Sequence, residues 1–374
     1  MAFELTFLGS SGGPIEGSNC CILIKPSHIS YQDIVERNLQ NEVLCVDAGA
    51  GLAKLSEVIF NETHDLPSCN LLNLYNDSLS VDEYFKTSTS KPFAVFKGKS
   101  PFSAAVDVFK NIKSYLISHP HLDHIYALVL NSPNFTEANP KEVYGSCDTV
   151  HALNSHIFNG IIWPNMQEFE IVNLNTVGFE SPFDVSSYSV KMFKLSHGKL
   201  QRGHRNSSIS INENFKGIYQ ESKSVTYVSS AFLISYKTIN SRVLVFGDFE
   251  SDHISNQNFN EVIWKEIVPM VLDKSLSAIV LECSNCNCVE TSLYGHLNPI
   301  HLMRELYKLN GFCVNASGTE NPLKDMHVII NHVKETDGTF DPRATILRNL
   351  EKLNLDYNLG INFSIALSGV SIIV

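Results

Sequence analysis

The chain has 374 residues, of which 44% are hydrophobic and 18% charged, enough apolar material for a sizeable core and too little charge for a disordered chain. Its 28 basic and 39 acidic residues leave a net charge of −11, which argues against a polyanionic partner such as DNA or a long RNA. A small anionic substrate stays compatible, because bound dications supply local positive charge.

No apolar run approaches the ~20 residues of a membrane span. The N-terminal segment lacks the basic start and long apolar stretch of a signal peptide. Nine cysteines in such a chain read as free thiols in a reducing compartment, so a cytoplasmic protein with no membrane association is expected.

Residues 1–8 alternate as a strand and run into Gly9-Ser10-Ser11-Gly12-Gly13-Pro14. A glycine-rich turn lets backbone approach something closely, either a phosphate or metal-binding loops, although a plain tight turn is the commoner case; Gly12 and Gly13 are candidate phosphate contacts. The Gly-Lys-Ser/Thr ending of a Walker loop is absent. Strands are expected over 20–24 and 43–46, the latter ending in Asp47. Asp47 either caps the following helix or orients metal ligands. Residues 61–100 have weak apolar periodicity and read as an insertion of loops or short helices, with a helix over 102–112 behind it.

A short apolar strand over 115–117 then delivers His119, Pro120, His121, Leu122, Asp123 and His124. Imidazole and carboxylate are the usual ligands of zinc and similar ions. Side chains of extended backbone alternate, so His119 and His121 point the same way, and a turn swings Asp123 and His124 towards a second centre. One short loop thus offers two ligands to each of two neighbouring metals. Without cations, these polar groups would crowd the end of a buried strand unpaired.

Residues 125–130 read as a helix stopped at Pro133, and 150–158 as another whose His151 and His156 lie on its surface. A strand over 188–195 delivers His197. Strands over 207–211 and 229–235 flank a polar excursion at 212–223 that reads as a protruding hairpin. Buried strands over 242–246, 278–281 and 328–330 end in Asp248, Glu282 and His332. His296 precedes Asn298 and Pro299, an N-cap and first helical position. Asp341-Pro342 opens a last helix, and 363–373 reads as one alternating strand. Cys283, Cys286 and Cys288 lack a nearby fourth partner for a zinc knuckle and read as free thiols. Strand after strand ends in His, Asp or Glu, which implies a sheet edge lined with ligands.

This ordered set resembles that of the metallo-β-lactamase fold, an α/β four-layer α/β/β/α sandwich with a dinuclear metal site at one edge of its two sheets. On that resemblance residues 1–374 are a single domain with insertions near 61–100 and 212–223. Residues 119–133 are similar to the signature of class II 3′,5′-cyclic-nucleotide phosphodiesterases of the fungal low-affinity type, with Ala127 where the signature has Gly or Ser. The likeness extends to Gly12-Gly13-Pro14, Phe158-Asn159, Ile162-Trp163-Pro164, Glu282-Cys283-Ser284, Tyr294-Gly295-His296-Leu297 and Asp341-Pro342-Arg343.

The resemblance implies two divalent ions, with Zn2+ favoured by the imidazole-rich donors. His119, His121 and His197 hold one ion, Asp123, His124 and His332 the other, and Asp248 bridges them. It implies hydrolysis of cyclic AMP, and also cyclic GMP, to nucleoside 5′-monophosphates, which lowers intracellular cyclic AMP signalling. Two dications ~3.5–4 Å apart share a hydroxide that attacks phosphorus. The catalytic residues are then Asp123, also a metal ligand, and His296, a general acid for the 3′-oxygen oriented by Glu282. That pairing resembles the Glu–His couple of phosphodiesterases that process transfer-RNA ends. The expected partner is the small cyclic nucleotide rather than nucleic acid, with the chain alone or as a homodimer. Two rivals stand beside this reading. One is a transfer-RNA 3′-end nuclease, which needs basic surface this acidic chain lacks. The other is a non-catalytic binding protein on the same fold, which predicts eroded ligand positions.

Overall fold

A computed structural model of the chain describes residues 2–67, 69–200, 225–286, 293–337 and 340–374. The hairpin expected at 212–223, the strand expected at 207–211 and Cys288 lie outside the described residues.

Two sheets form the centre. The first is ordered β4 (Thr89–Ser90), β15 (Val370–Ile373), β1 (Phe3–Gly9), β2 (Cys21–Pro26), β3 (Leu44–Val46), β5 (Ser114–Leu116), β6 (Lys141–Gly145), β7 (Val172–Thr176). The second is ordered β14 (Asn362–Ile365), β13 (His327–Asn331), β12 (Leu276–Glu282), β11 (Arg242–Phe246), β10 (Val225–Tyr236), β9 (Tyr188–Leu200), β8 (Pro182–Val185). Pairing is parallel along β3, β5, β6 and β7 in one sheet and along β11 to β14 in the other.

Side-chain alternation explains why the sheets stack. Ile22, Ile24, Leu44, Val46 and Leu116 point inward and share one buried core with Val190, Met192, Phe232 and Leu244 of the second sheet. Their neighbours Leu23, Cys45, Tyr115 and Ile117 point outward into a second core. That core is closed by α1 (Tyr31–Glu36), α2 (Leu52–Thr63), α3 (Pro101–Lys110) and α4 (Leu122–Asn131), through residues such as Ile34, Leu55, Val108 and Leu128. Two short helices follow, α5 (Cys147–Ala152) and α6 (Asp252–Ser255). The far face of the second sheet is covered by α7 (Phe259–Leu272), α8 (Pro299–Ser317) and α9 (Pro342–Asp356). Trp264, Leu306 and Ile346 bury their side chains there, each such burial stabilising by roughly 1.5–3 kcal/mol. The layers are therefore helix, sheet, sheet, helix, as the resemblance implied. Among the described residues no helix is long and apolar enough to cross a membrane.

Three expectations change. The stretch 363–373 is two strands, because the chain leaves the second sheet after Ile365, crosses Ala366 to Gly369, and joins the first sheet as β15. The His197 strand does not stop before the histidine: β9 runs to Leu200 and carries His197 within it. Strands β6, β7 and β8 went unexpected, being short and mixed in polarity.

The 61–100 segment folds as short helical turns at Asn70–Leu74, Val81–Tyr84 and Ala94–Phe96, plus β4. It is bolted down by buried polar groups. Tyr75 donates to Glu335 and Tyr84 to Asp341, and both carboxylates pair with the buried Arg343. At the other end Glu62 accepts the Phe93 N–H at 2.6 Å, and burial pushes its carboxyl up to about 8. The unfolded carboxyl releases its proton near 4.5, so stability from this group is full below that pH and is lost as pH rises through about 8. Glu62→Gln is therefore expected to lose less melting temperature than wild type between about pH 5 and pH 9. Parallel thermal-melt profiles of the two proteins would refute this.

Candidate metal centre and catalytic pair

The site lies where the carboxyl ends of parallel strands in both sheets meet, the usual place for function in such sheets. β5 feeds the His119–His124 loop, β3 ends before Asp47, and β11, β12 and β13 end at Asp248, Glu282 and His332. β9 supplies His197 from across the second sheet. The sheets approach closely here. A Cβ on Gly247 would fall 2.4 Å from the Ser118 Cβ, so only glycine lets β11 end beside β5.

Four of the five imidazoles are oriented by a partner on the nitrogen that faces away from the centre. Asp47 accepts the Ser118 N–H at 2.8 Å and the Ser118 hydroxyl at 2.9 Å. The Ser118 Oγ faces His119 Nδ1 at 3.0 Å, while Asp47 Oδ2 takes His124 Nδ1–H at 2.8 Å. His197 Nδ1 donates to the Gly295 carbonyl at 2.9 Å, and His332 Nδ1 sits 2.8 Å from Ser284 Oγ. These contacts leave Nε2 of His119, His124, His197 and His332 facing the centre. Such outer partners fix tautomer and ring direction in metal sites. Of the two roles open to Asp47, orientation is the one observed, since α2 is preceded by Gly51 with no side-chain cap.

The inward atoms form two groups. His119 Nε2 and His197 Nε2 lie 2.9 and 3.3 Å from His121 Nδ1. Asp123 Oδ2 lies 3.3 Å from His332 Nε2 and 3.7 Å from His124 Nε2. Asp248 stands between them. Its Oδ2 is 3.8 Å from His119, 3.7 Å from His197 and 3.2 Å from His332, and its Oδ1 is 3.3 Å from His124.

This donor set fits divalent cations. Three imidazole nitrogens converge within hydrogen-bond distance although at most some can carry a proton. His124 Nε2 and Asp248 Oδ1 are fully buried, close, and yet not aligned as a hydrogen bond. Orphaned buried groups of this kind cost free energy unless something charged satisfies them. Burial pushes His119 well below the ordinary imidazole range and His197 down to about 4, so these rings are neutral donors at neutral pH. Burial works the other way on Asp123 and Asp248, but His332 and His124 outweigh it and hold both carboxyls low.

Glu282 and His296 lie against this centre. His296 Nδ1 donates to Glu282 Oε1 at 2.9 Å, and the His296 ring is 4.8 Å from that of His197 and 5.2 Å from that of His332. Burial lowers His296, but Glu282 and then Asp248 overcome that and raise it above the usual value. Glu282 also accepts from the Phe249 and Ser284 amides and the Ser284 hydroxyl, so it ties the strand ends together as well.

Every expected His, Asp and Glu of the site is therefore brought together. His64 is exposed, and His151 and His156 lie apart, ring to ring on α5 and the turn after it. The expectation for Gly12 and Gly13 does not hold in the form stated. The Gly12 amide donates to the Val333 carbonyl at 3.0 Å and the Gly13 amide to Ser11 Oγ at 3.2 Å. Both are committed within the protein. Gly12 is needed for a different reason: a Cβ there would meet the His332 Nδ1 at 2.5 Å. Cys283 is buried and Cys286 half-buried just after β12.

Sequence reasoning missed Ser118, Ser284 and Tyr227. The Tyr227 ring stacks on His121 with centroids 4.6 Å apart and planes at 23°. Nothing local marks these residues. The serines follow buried strands, a weak signal, and Tyr227 carries none.

Residues 34–369 match the family model of class-II cAMP phosphodiesterases. A 3′,5′-cyclic-nucleotide phosphodiesterase of Candida albicans is 42% identical, with 100% of both chains covered. The crystal structure of unliganded yeast PDE1 superimposes with a TM-score of 0.81 at 28% identity, over 100% of this chain and 99% of that one. A metallo-β-lactamase fold protein of Bacillus subtilis matches with a TM-score of 0.51 at 14% identity, over 99% of each chain, which shows the fold alone. A metallo-β-lactamase fold that carries this sequence likeness along nearly its whole length places the chain in the class-II cAMP phosphodiesterase family.

Proposed function

We propose that this chain hydrolyses 3′,5′-cyclic nucleotides, cyclic AMP and also cyclic GMP, to nucleoside 5′-monophosphates. The observation that carries the reading is one carboxylate, Asp248, set between two clusters of inward-facing donors with a Glu–His pair beside them. In this reading His119, His121 and His197 hold one Zn2+, Asp123, His124 and His332 hold a second, and Asp248 serves both. When bound, the ions activate water and offset charge on the phosphoryl oxygens.

The protein's own groups do the rest. Asp47, Ser118, Ser284 and the Gly295 carbonyl fix the imidazoles. Asp123 is half-buried and lines the recess that opens beside the centre. The activated water gives up a proton to solvent on the open side, its oxygen adds to phosphorus, the bond to the 3′-oxygen breaks, and that oxygen needs a proton of its own. His296 supplies it from Nε2, while Glu282 holds Nδ1 and stabilises the protonated ring. Catalysis thus rests on Asp123, Glu282 and His296. The net charge of −11 supports a small substrate over nucleic acid. The setting that goes with this reading is the cytoplasm, where the reaction lowers cyclic AMP, with the chain as a monomer or homodimer.

Turnover of both cyclic nucleotides, followed by 5′-monophosphate formation, tests the reading. Purified protein is expected to be active, to lose activity on chelation and to recover it with Zn2+. Hydrolysis that survives complete metal removal, or no hydrolysis by the metal-loaded protein, would sink it.

A further inference from the structure

A recess of about 320 Å³ opens directly beside Asp123. Its floor is one face of α4, where Leu122 and Tyr126 sit one helical turn apart and are 65% and 44% exposed. Large apolar side chains are not usually left bare beside a polar centre, and an aromatic ring with a free face is the standard platform for a base. The opposite wall is the turn from Gly13 to Asn19, with the Glu16 carboxylate at its rim.

Asn19 is the informative residue. The residue is only 7% exposed and lines the recess. Its Nδ2 lies 4.0 Å from where a Cβ on Gly13 would be, which puts the amide on the recess wall. An amide on the wall of an open recess offers a donor and an acceptor to whatever occupies it.

We propose that this recess is the nucleobase subsite, with the base stacked on Tyr126 and Leu122 and its edge hydrogen-bonded to the Asn19 amide. The inference rests on the cyclic-nucleotide reading of the neighbouring centre. With the phosphate at Asp123, the ribose spans the mouth and the base lies in the recess. An amide offers one donor and one acceptor side by side. Adenine presents a matching pair at N6 and N7. Guanine presents one at N1 and O6, which the same amide meets by turning over. One residue therefore serves both bases, and that gives the chain its tolerance for cyclic AMP and cyclic GMP alike. A carboxylate at position 19 accepts only. It suits guanine, whose N1 and N2 both donate, and is mismatched to adenine, which offers one donor beside an acceptor.

The test uses the metal-loaded full chain with cyclic AMP, cyclic GMP and bis(p-nitrophenyl) phosphate, an activated diester with no base. Tyr126→Ala is expected to raise KM for both cyclic nucleotides about tenfold, with kcat and metal content held and the aryl diester unaffected. Asn19→Asp is expected to move the ratio of kcat/KM for cyclic GMP over cyclic AMP upward by about tenfold. Tyr126 is at the surface, so its variant folds even if an Asn19 variant does not. Unchanged KM in Tyr126→Ala, or equal losses on all three substrates, would overturn the subsite while leaving cyclic-nucleotide hydrolysis standing. A wild-type chain inactive on cyclic nucleotides but active on the aryl diester would instead refute the function on which the subsite rests. A change in oligomeric state without a change in KM would assign this face to contact between copies.

Discussion

Asp248→Asn is expected to cut cyclic-nucleotide turnover by about a thousandfold or more and to lower bound metal below two ions per chain. The reason lies in the position of the carboxylate. It is fully buried and within 3.8 Å of His119, His124, His197 and His332. The amide keeps the shape but loses the charge and half of the acceptor capacity. Four imidazoles then face a neutral group in a buried setting, and a second cation finds too little negative charge to join the first. Metal analysis of the purified protein with parallel turnover assays reads both effects. A variant that keeps full metal and more than about a tenth of wild-type activity would mean Asp248 is not shared between the ions.

His296→Ala is expected to behave differently. Its ring lies beside the donor clusters, yet its Nδ1 is already committed to Glu282 at 2.9 Å. Metal content should stay at the wild-type level while kcat for cyclic AMP falls by about 10²–10⁴. The loss should shrink for an aryl diester, because a nitrophenolate departs without a proton and the ribose 3′-oxygen does not. If the alanine variant loses metal, or loses activity equally on both kinds of diester, His296 is a ligand or a structural residue rather than the acid.

The difference between these two variants follows from geometry that the sequence exposed only in part. The inward-facing donors were legible because each breaks a strong local pattern. A continuous apolar strand that ends in His or Asp has no core reason to do so. Asp248 after 242–246 and His332 after 328–330 stand out for that reason. The order of those residues also carried the family likeness, which the full-length match bears out.

What stayed hidden depends on which backbone lies next to which. Ser284 is an ordinary serine until folding sets it against His332, and Asp47 is ambiguous until His124 arrives from 77 positions away. The Gly12 amide looked available because the Val333 carbonyl that takes it is far off in sequence. Alternation over 363–373 said nothing about sheet membership, and the chain changes sheets in the middle of it. Short edge strands such as β7 and β8 carry too few buried residues to announce themselves.

The meeting of the two sheets at the donor cluster also bears on the order of assembly. His119 and His124 belong to the first sheet's strand ends, while His197, Asp248 and His332 belong to the second. Neither half of the chain holds a complete donor group on its own, so tight metal uptake would have to wait until the halves have docked. An ion held there would act as a rivet through the seam, because sliding one sheet past the other would pull its donors apart. Metal retention therefore reports that the sandwich has closed correctly, and a chain starved of metal should come apart first along this seam rather than within either core.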